Sequence, residues 1–315
     1  MYFYLLSFYI IHFVDIFSVG QWKKFEAKSG LDPVLDDLLT LLPSYTMAST
    51  ADTILKKYRY AFNSWCKWSN LHSFPSLPAS QFSIALYLIH LSESSKSTSK
   101  IDEAMYAISW AHTLSGFSEP CKSILVRSVR EGAHRKIGHI VKKKKEPITP
   151  DILQKMVSTY GSNNCNLKDL RIATMCLVSY AGFLRFAELA NIKRSNVVFC
   201  SSHVKLNLEK SKTDIYREGK EVIISRTGTI TCPVAILDRY LKMVDISDTS
   251  SEYIFRSVYY CKSSGRYQLR KTGPISYTRA RELLLSVLEC IGLEKHHFGL
   301  HSLRSATAAG VKDTL

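Results

Sequence analysis

No two cysteines of this 315-residue chain are spaced as a CxxC pair. The eight (Cys66, Cys121, Cys165, Cys176, Cys200, Cys232, Cys261 and Cys290) are scattered, several among apolar neighbours, as in Met175-Cys176-Leu177. This pattern argues against a disulfide frame or zinc ribbon and predicts reduced, mostly buried thiols. His296 and His297 are adjacent but have no second ligand pair nearby in sequence, which weakens a metal reading. A membrane-spanning run is missing too. The most apolar stretch, Tyr2 to Val14, is too short and is interrupted by Asp15. It has neither the basic start nor the small-residue cleavage site of a secretory signal. It is read as an apolar N-terminal helix or a misassigned start, and no membrane is expected as a partner. No internal repeat is visible.

Acidic residues are scarce: 27 Asp and Glu stand against 42 Lys and Arg, a formal charge of +15. The first fifty residues hold three lysines and five acids, a net −2, so +17 falls to residues 51–315. An excess of that size repels itself in the free protein and suits a polyanion, nucleic acid or an acidic surface. The bland reading is a solubility charge with no partner. At 46% hydrophobic and 22% charged, the composition is globular, and the length suffices for two domains with separate cores.

Four segments follow one another along the chain. Residues 1–47 are a variable segment with an acidic-apolar helix over Leu31–Leu42. Residues 48–137 read as a helical domain. Ile54, Tyr58, Phe62 and Trp65 recur at helical spacing, Pro75 and Pro78 interrupt, and Phe82–Leu91 is a second apolar run. Ser97-Thr98-Ser99 offers an N-cap to Ile101–Leu114, Gly116 its stop, and Pro120 opens a fourth helix to about Lys136. Residues 138–148 are a basic linker carrying Lys142, Lys143, Lys144 and Lys145, with nothing in it expected to be buried. The lysine run is read as a DNA-tracking tether, a nuclear import signal or a solvated spacer.

Residues 149–315 mix element types. Thr149-Pro150-Asp151 starts a helix, Asp169–Ala181 is a helix ended by Gly182, and Leu184–Ile192 a short one. Asn196–Cys200, His203–Leu208 and Glu221–Ser225 carry strand patterns separated by polar turns, predicting a small antiparallel sheet. Helices are expected over Pro233–Val244, Tyr277–Ile291 and from Leu300 to Val311. The fold class is mainly α with a small antiparallel β-sheet.

Three short motifs lie in this last segment. Gly182-Phe183-Leu184-Arg185-Phe186-Ala187-Glu188-Leu189 puts an arginine and, one turn later, an acid at a helix opening. Glu209-Lys210-Ser211-Lys212-Thr213-Asp214 occupies a strand–strand turn. His301-Ser302-Leu303-Arg304 places a histidine and an arginine on one helical face. Each is weak alone; their order, spacing and element type are not.

Together they resemble the tyrosine recombinase (phage integrase-like) family, especially recombinases of eukaryotic mobile elements, over about residues 48–315. The resemblance implies a helical core-binding domain, a basic linker and a mixed catalytic domain. It implies that Arg185 and Arg304 are catalytic arginines, with His301 beside the second and Glu188 holding the first. It makes Lys212 the lysine of the mobile turn, with Lys210 as fallback. One residue more than the family's G-x-R pattern separates Gly182 from Arg185.

The residue types suit the chemistry. A phosphodiester under attack gains negative charge, and guanidiniums bind its non-bridging oxygens more tightly as that charge develops. A lysine can protonate the leaving 5′-oxygen and a histidine can relay protons, so no metal or other cofactor is required. The family's nucleophile is a tyrosine, forming a 3′-phosphotyrosyl link, and it follows the second box. The eleven residues after Arg304 include no Tyr, His or Trp, while Tyr259, Tyr260 and Tyr277 precede the box. The expectation is a C-terminally incomplete catalytic domain, inactive as it stands; the alternative is a non-catalytic DNA-binding protein derived from a mobile element. An unrelated helix-turn-helix factor would leave Arg185, Lys212 and His301 unexplained. Expected partners are double-stranded DNA and other copies of the chain, in a nucleus if the source is eukaryotic, otherwise in cytoplasm.

Overall fold

The computed structural model describes residues 16–26, 32–138, 144–209, 219–271 and 273–305. The expected helix over Tyr2–Val14 and most of the final helix lie outside them. The chain divides into two compact units, Met1–Lys142 and Lys143–Leu315.

The described residues of the first unit are all helical in their regular structure: α1 (Gln21–Glu26), α2 (Pro33–Ala48), α3 (Asp52–Leu71), α4 (Gln81–Ser95), α5 (Thr98–Leu114) and α6 (Ile124–Ile137). Helix α3 packs on α5 and α4 on α6 around Phe62, Trp65, Ile84, Leu88, Ile101 and Ile108. Serine caps start two of these helices, Ser80 accepting from the Ser83 amide at 3.0 Å and Ser123 from Val126 at 3.3 Å. The α3 stripe is rotated at its N-terminal end from the expected one. Leu55 is buried, whereas Ile54 is exposed and Tyr58 is half-buried. Order also begins earlier than residue 48. Ile16 joins the core, Trp22 Nε1 donates to the Leu114 carbonyl at 2.9 Å, and Gly20 sits so close to Ser115 that a Cβ would strike its carbonyl.

The second unit surrounds α8 (Leu167–Ala181), eleven of whose fifteen residues are buried, as expected of a helix enclosed on all sides. Around it stand α7 (Pro150–Tyr160), the short α9 (Phe186–Ala190), α10 (Pro233–Val244) and α11 (Tyr277–Cys290). Strands β1 (Val197–Phe199), β2 (His203–Leu208) and β3 (Lys220–Ser225) form an antiparallel sheet, with Val204 opposite Ile224 and Leu208 opposite Lys220. Val204, Leu206 and Leu208 alternate into the core. A second antiparallel pair, β4 (Val258–Cys261) and β5 (Arg266–Leu269), was not anticipated.

The linker reading needs one correction. Ile148 is fully buried in the second unit's core, and its amide donates to the Ser302 carbonyl at 3.0 Å. The four lysines hide an apolar residue that packs just before Thr149 caps α7. All eight cysteines are free, and burial pushes the Cys66 thiol up to about 11 and those of Cys121 and Cys176 to about 12. Among the described residues no helix is long and apolar enough to cross a membrane.

Candidate active site

Arg185 occupies the N-cap of α9 with extended backbone. Its amide donates to Glu188 Oε2 at 2.7 Å, and its Nη1 donates to Glu188 Oε1 at 2.9 Å. One carboxylate therefore caps the helix start and holds the guanidinium. Glu188 is 8% exposed, whereas the arginine side chain keeps 31%. The cation is tethered from the core side yet reaches solvent, as a group meant to meet an external anion must.

The turn before it is shaped by Gly182. A Cβ there would come within 3.1 Å of both the Val178 carbonyl and Leu184 Cγ, and 3.2 Å of Ile224 on β3. Phe183 then takes a left-handed step at φ 52°. The extra residue before Arg185 is accommodated in this turn, and Leu184 returns to the core.

The second box is anchored by its apolar members. Leu300 and Leu303 enter the same core cluster as Leu184 and Leu189. Ser302 is buried, its Oγ accepting from the Gly299 amide at 3.0 Å. The His301 carbonyl accepts from the Arg304 and Ser305 amides, opening a helical turn over residues 302–305. His301 is exposed and Arg304 half-buried, three apart on that turn.

Lys210 and Lys212 lie outside the described residues, in the connection that leaves the sheet beyond the Leu208–Lys220 pair. Lys142 and Lys143 also lie outside them. Lys144 is exposed, and Lys145 donates through Nζ to the His296 carbonyl. One contact has no sequence signal: Tyr277, at the start of α11, sets its ring edge-on to Phe186, with centroids 5.4 Å apart. This half-exposed phenol thus stands beside the residue that follows Arg185.

No family model matches the chain. Among curated proteins it is 27% identical over 271 residues to an integrase/recombinase xerD homolog of Selenomonas ruminantium, covering 84% of this chain and 76% of that protein. By sequence the chain is thus similar to a protein of the tyrosine recombinase/integrase family. Solved integrases share its fold. The Tn1549 transposon integrase in complex with transposon right end DNA superposes with a TM-score of 0.54 at 10% identity, covering 93% of this chain and 85% of that one. A lambda integrase dimer bound to a COC′ core site gives 0.50 at 16%, covering 93% and 78%. The chain spans 60% of the XerH recombinase in its pre-cleavage complex with difH.

Proposed function

We propose that this integrase-like chain binds double-stranded DNA and grips one phosphodiester with Arg185, Lys212, His301 and Arg304. The carrying observation is the Arg185–Glu188 pair, in which a buried carboxylate fixes a solvent-reaching guanidinium at two points. Such preorganisation costs no rearrangement when charge develops on the phosphate. Arg304 and His301, on a turn rooted in the same core as Arg185's neighbours, supply the second cation and a proton relay. Lys212, which falls between β2 and β3 in sequence, supplies a further cation and a proton donor for a 5′-oxygen. The curated relative's recombinase name and the DNA held by the solved integrases support this reading.

The polypeptide of residues 1–315 carries no tyrosine after Arg304. We infer that Tyr277, although it stands beside Phe186, is not a nucleophile, so that residues 1–315 by themselves bind DNA without becoming covalently attached. Incubation with a nicked suicide substrate and denaturing electrophoresis tests this. A complex on native gels with no adduct on denaturing gels is expected. An adduct that disappears in Tyr277→Phe would instead make Tyr277 the nucleophile and overturn the inference. Self-association on DNA is part of the proposal, and the dimeric lambda integrase complex is its support.

A further inference from the structure

We propose that Glu294, His296 and His297 form a divalent transition-metal site that staples the end of the basic linker to the approach of the second box. His296 Nε2 lies 3.2 Å and His297 Nε2 3.4 Å from the same oxygen, Glu294 Oε2. All three potential ligand atoms fall within 4.8 Å of one another. A tetrahedral ion with bonds of about 2.0–2.1 Å separates its ligands by about 3.3 Å, so little movement is needed to receive one. The donor set, two imidazoles and a carboxylate without thiolate, suits zinc and its borderline neighbours, with a fourth position left to water.

Glu146 provides the second, independent observation. It accepts a hydrogen bond from His297 Nδ1, on the ring edge opposite the one that faces Glu294. With its proton on Nδ1 the neutral ring offers the Nε2 lone pair to a cation, the carboxylate–histidine arrangement that orients metal ligands. Glu146 is a positioning residue here. Two lysines adjacent in sequence to these residues are engaged with other groups: Lys295 with Glu289 at 3.0 Å, and Lys145 with the His296 carbonyl. Glu146 and Glu294 together balance a doubly charged ion. The bland account, a set of exposed ion pairs, explains each contact singly and makes each worth little. It does not explain why one carboxylate oxygen serves two imidazoles while a second carboxylate holds one of them from behind.

The site has a mechanical consequence. The Glu146 amide donates to the His297 carbonyl at 2.7 Å and Ile148 to Ser302 at 3.0 Å, so residues 146–148 run along the segment that ends in His301. An ion at His297 tightens that seam four residues before His301. This holds whether or not the chain handles DNA.

The test uses the full 315-residue chain, stripped with a chelator and titrated with zinc chloride by isothermal calorimetry. One saturable equivalent is expected, absent in His296→Ala and in His297→Ala. Glu146→Gln keeps the equivalent but weakens it about 10–100-fold, with the metal-free melting temperature unchanged. All three side chains are at least partly exposed, so the variants should fold, and circular dichroism checks that they do. No saturable equivalent, or one that survives both histidine variants, overturns the site. Unchanged affinity in Glu146→Gln overturns the staple.

Discussion

Gly182 is required for space rather than for backbone freedom, since its φ of −89° is open to any residue. The sequence suggests a helix stop; the structure shows α8 closing against β3 where a Cβ would press on the Val178 carbonyl, Leu184 and Ile224 at 3.1–3.2 Å. Gly182→Ala should therefore cost about 1–3 kcal/mol, read as a lowered urea midpoint. An unchanged midpoint would mean that the turn before Arg185 is looser than described. His112 is fixed through both ring nitrogens. Its Nδ1 lies 2.7 Å from the Ile108 carbonyl and its Nε2 accepts from the Ala79 amide at 2.8 Å, so the buried ring is held neutral. Burial lowers its pKa below the ordinary 6.5, and the unfolded chain binds that proton more readily. Stability from this group is full above pH 6.5 and is lost as the pH falls below it. The melting temperature of the wild-type chain should drop between pH 7 and pH 5, and His112→Gln should start lower but fall less. Equal slopes in the two proteins would assign the acid sensitivity elsewhere.

Among the elements, the end of the linker is the least expected. Ile148→Ala should cost about 2–4 kcal/mol because it empties a filled core position. A cost near zero in chemical denaturation would restore the reading of residues 138–148 as a solvated spacer. Why this was hidden is physical: a single buried isoleucine beside a run of lysines leaves no periodicity. Helices were legible where caps and apolar spacing agreed, as at Thr149-Pro150 and over Pro233–Val244, whose bounds the structure reproduces. The β4–β5 hairpin was missed although Ser263-Ser264-Gly265, with Gly265 at φ 62°, is a turn signal between two short strands. Tyrosine-rich strands half exposed on both faces lack the apolar alternation that betrays a buried one. At the site, the Arg185–Glu188 spacing was readable because it is one turn long. The Phe186–Tyr277 contact and the Glu146–His297 pair, 151 residues apart in sequence, could come only from the fold.

For the whole molecule, charge is the property that selects a partner. The +17 of residues 51–315 is a net excess that internal ion pairs leave unchanged, and a polyanion relieves it while releasing its own counterions. A phosphate grip at Arg185 and Arg304 must then appear in the salt dependence of binding as well as in its strength. The most direct measurement is the affinity of the 315-residue chain for duplex DNA across a salt series, for wild type, Arg185→Ala and Arg304→Ala. Each phosphate contact contributes about −0.9 to the slope of log K against log salt, so wild type should fall steeply and each variant should lose about one unit of slope. A flat wild-type response, or variants whose slope matches wild type, would contradict the claim that these arginines hold the DNA backbone.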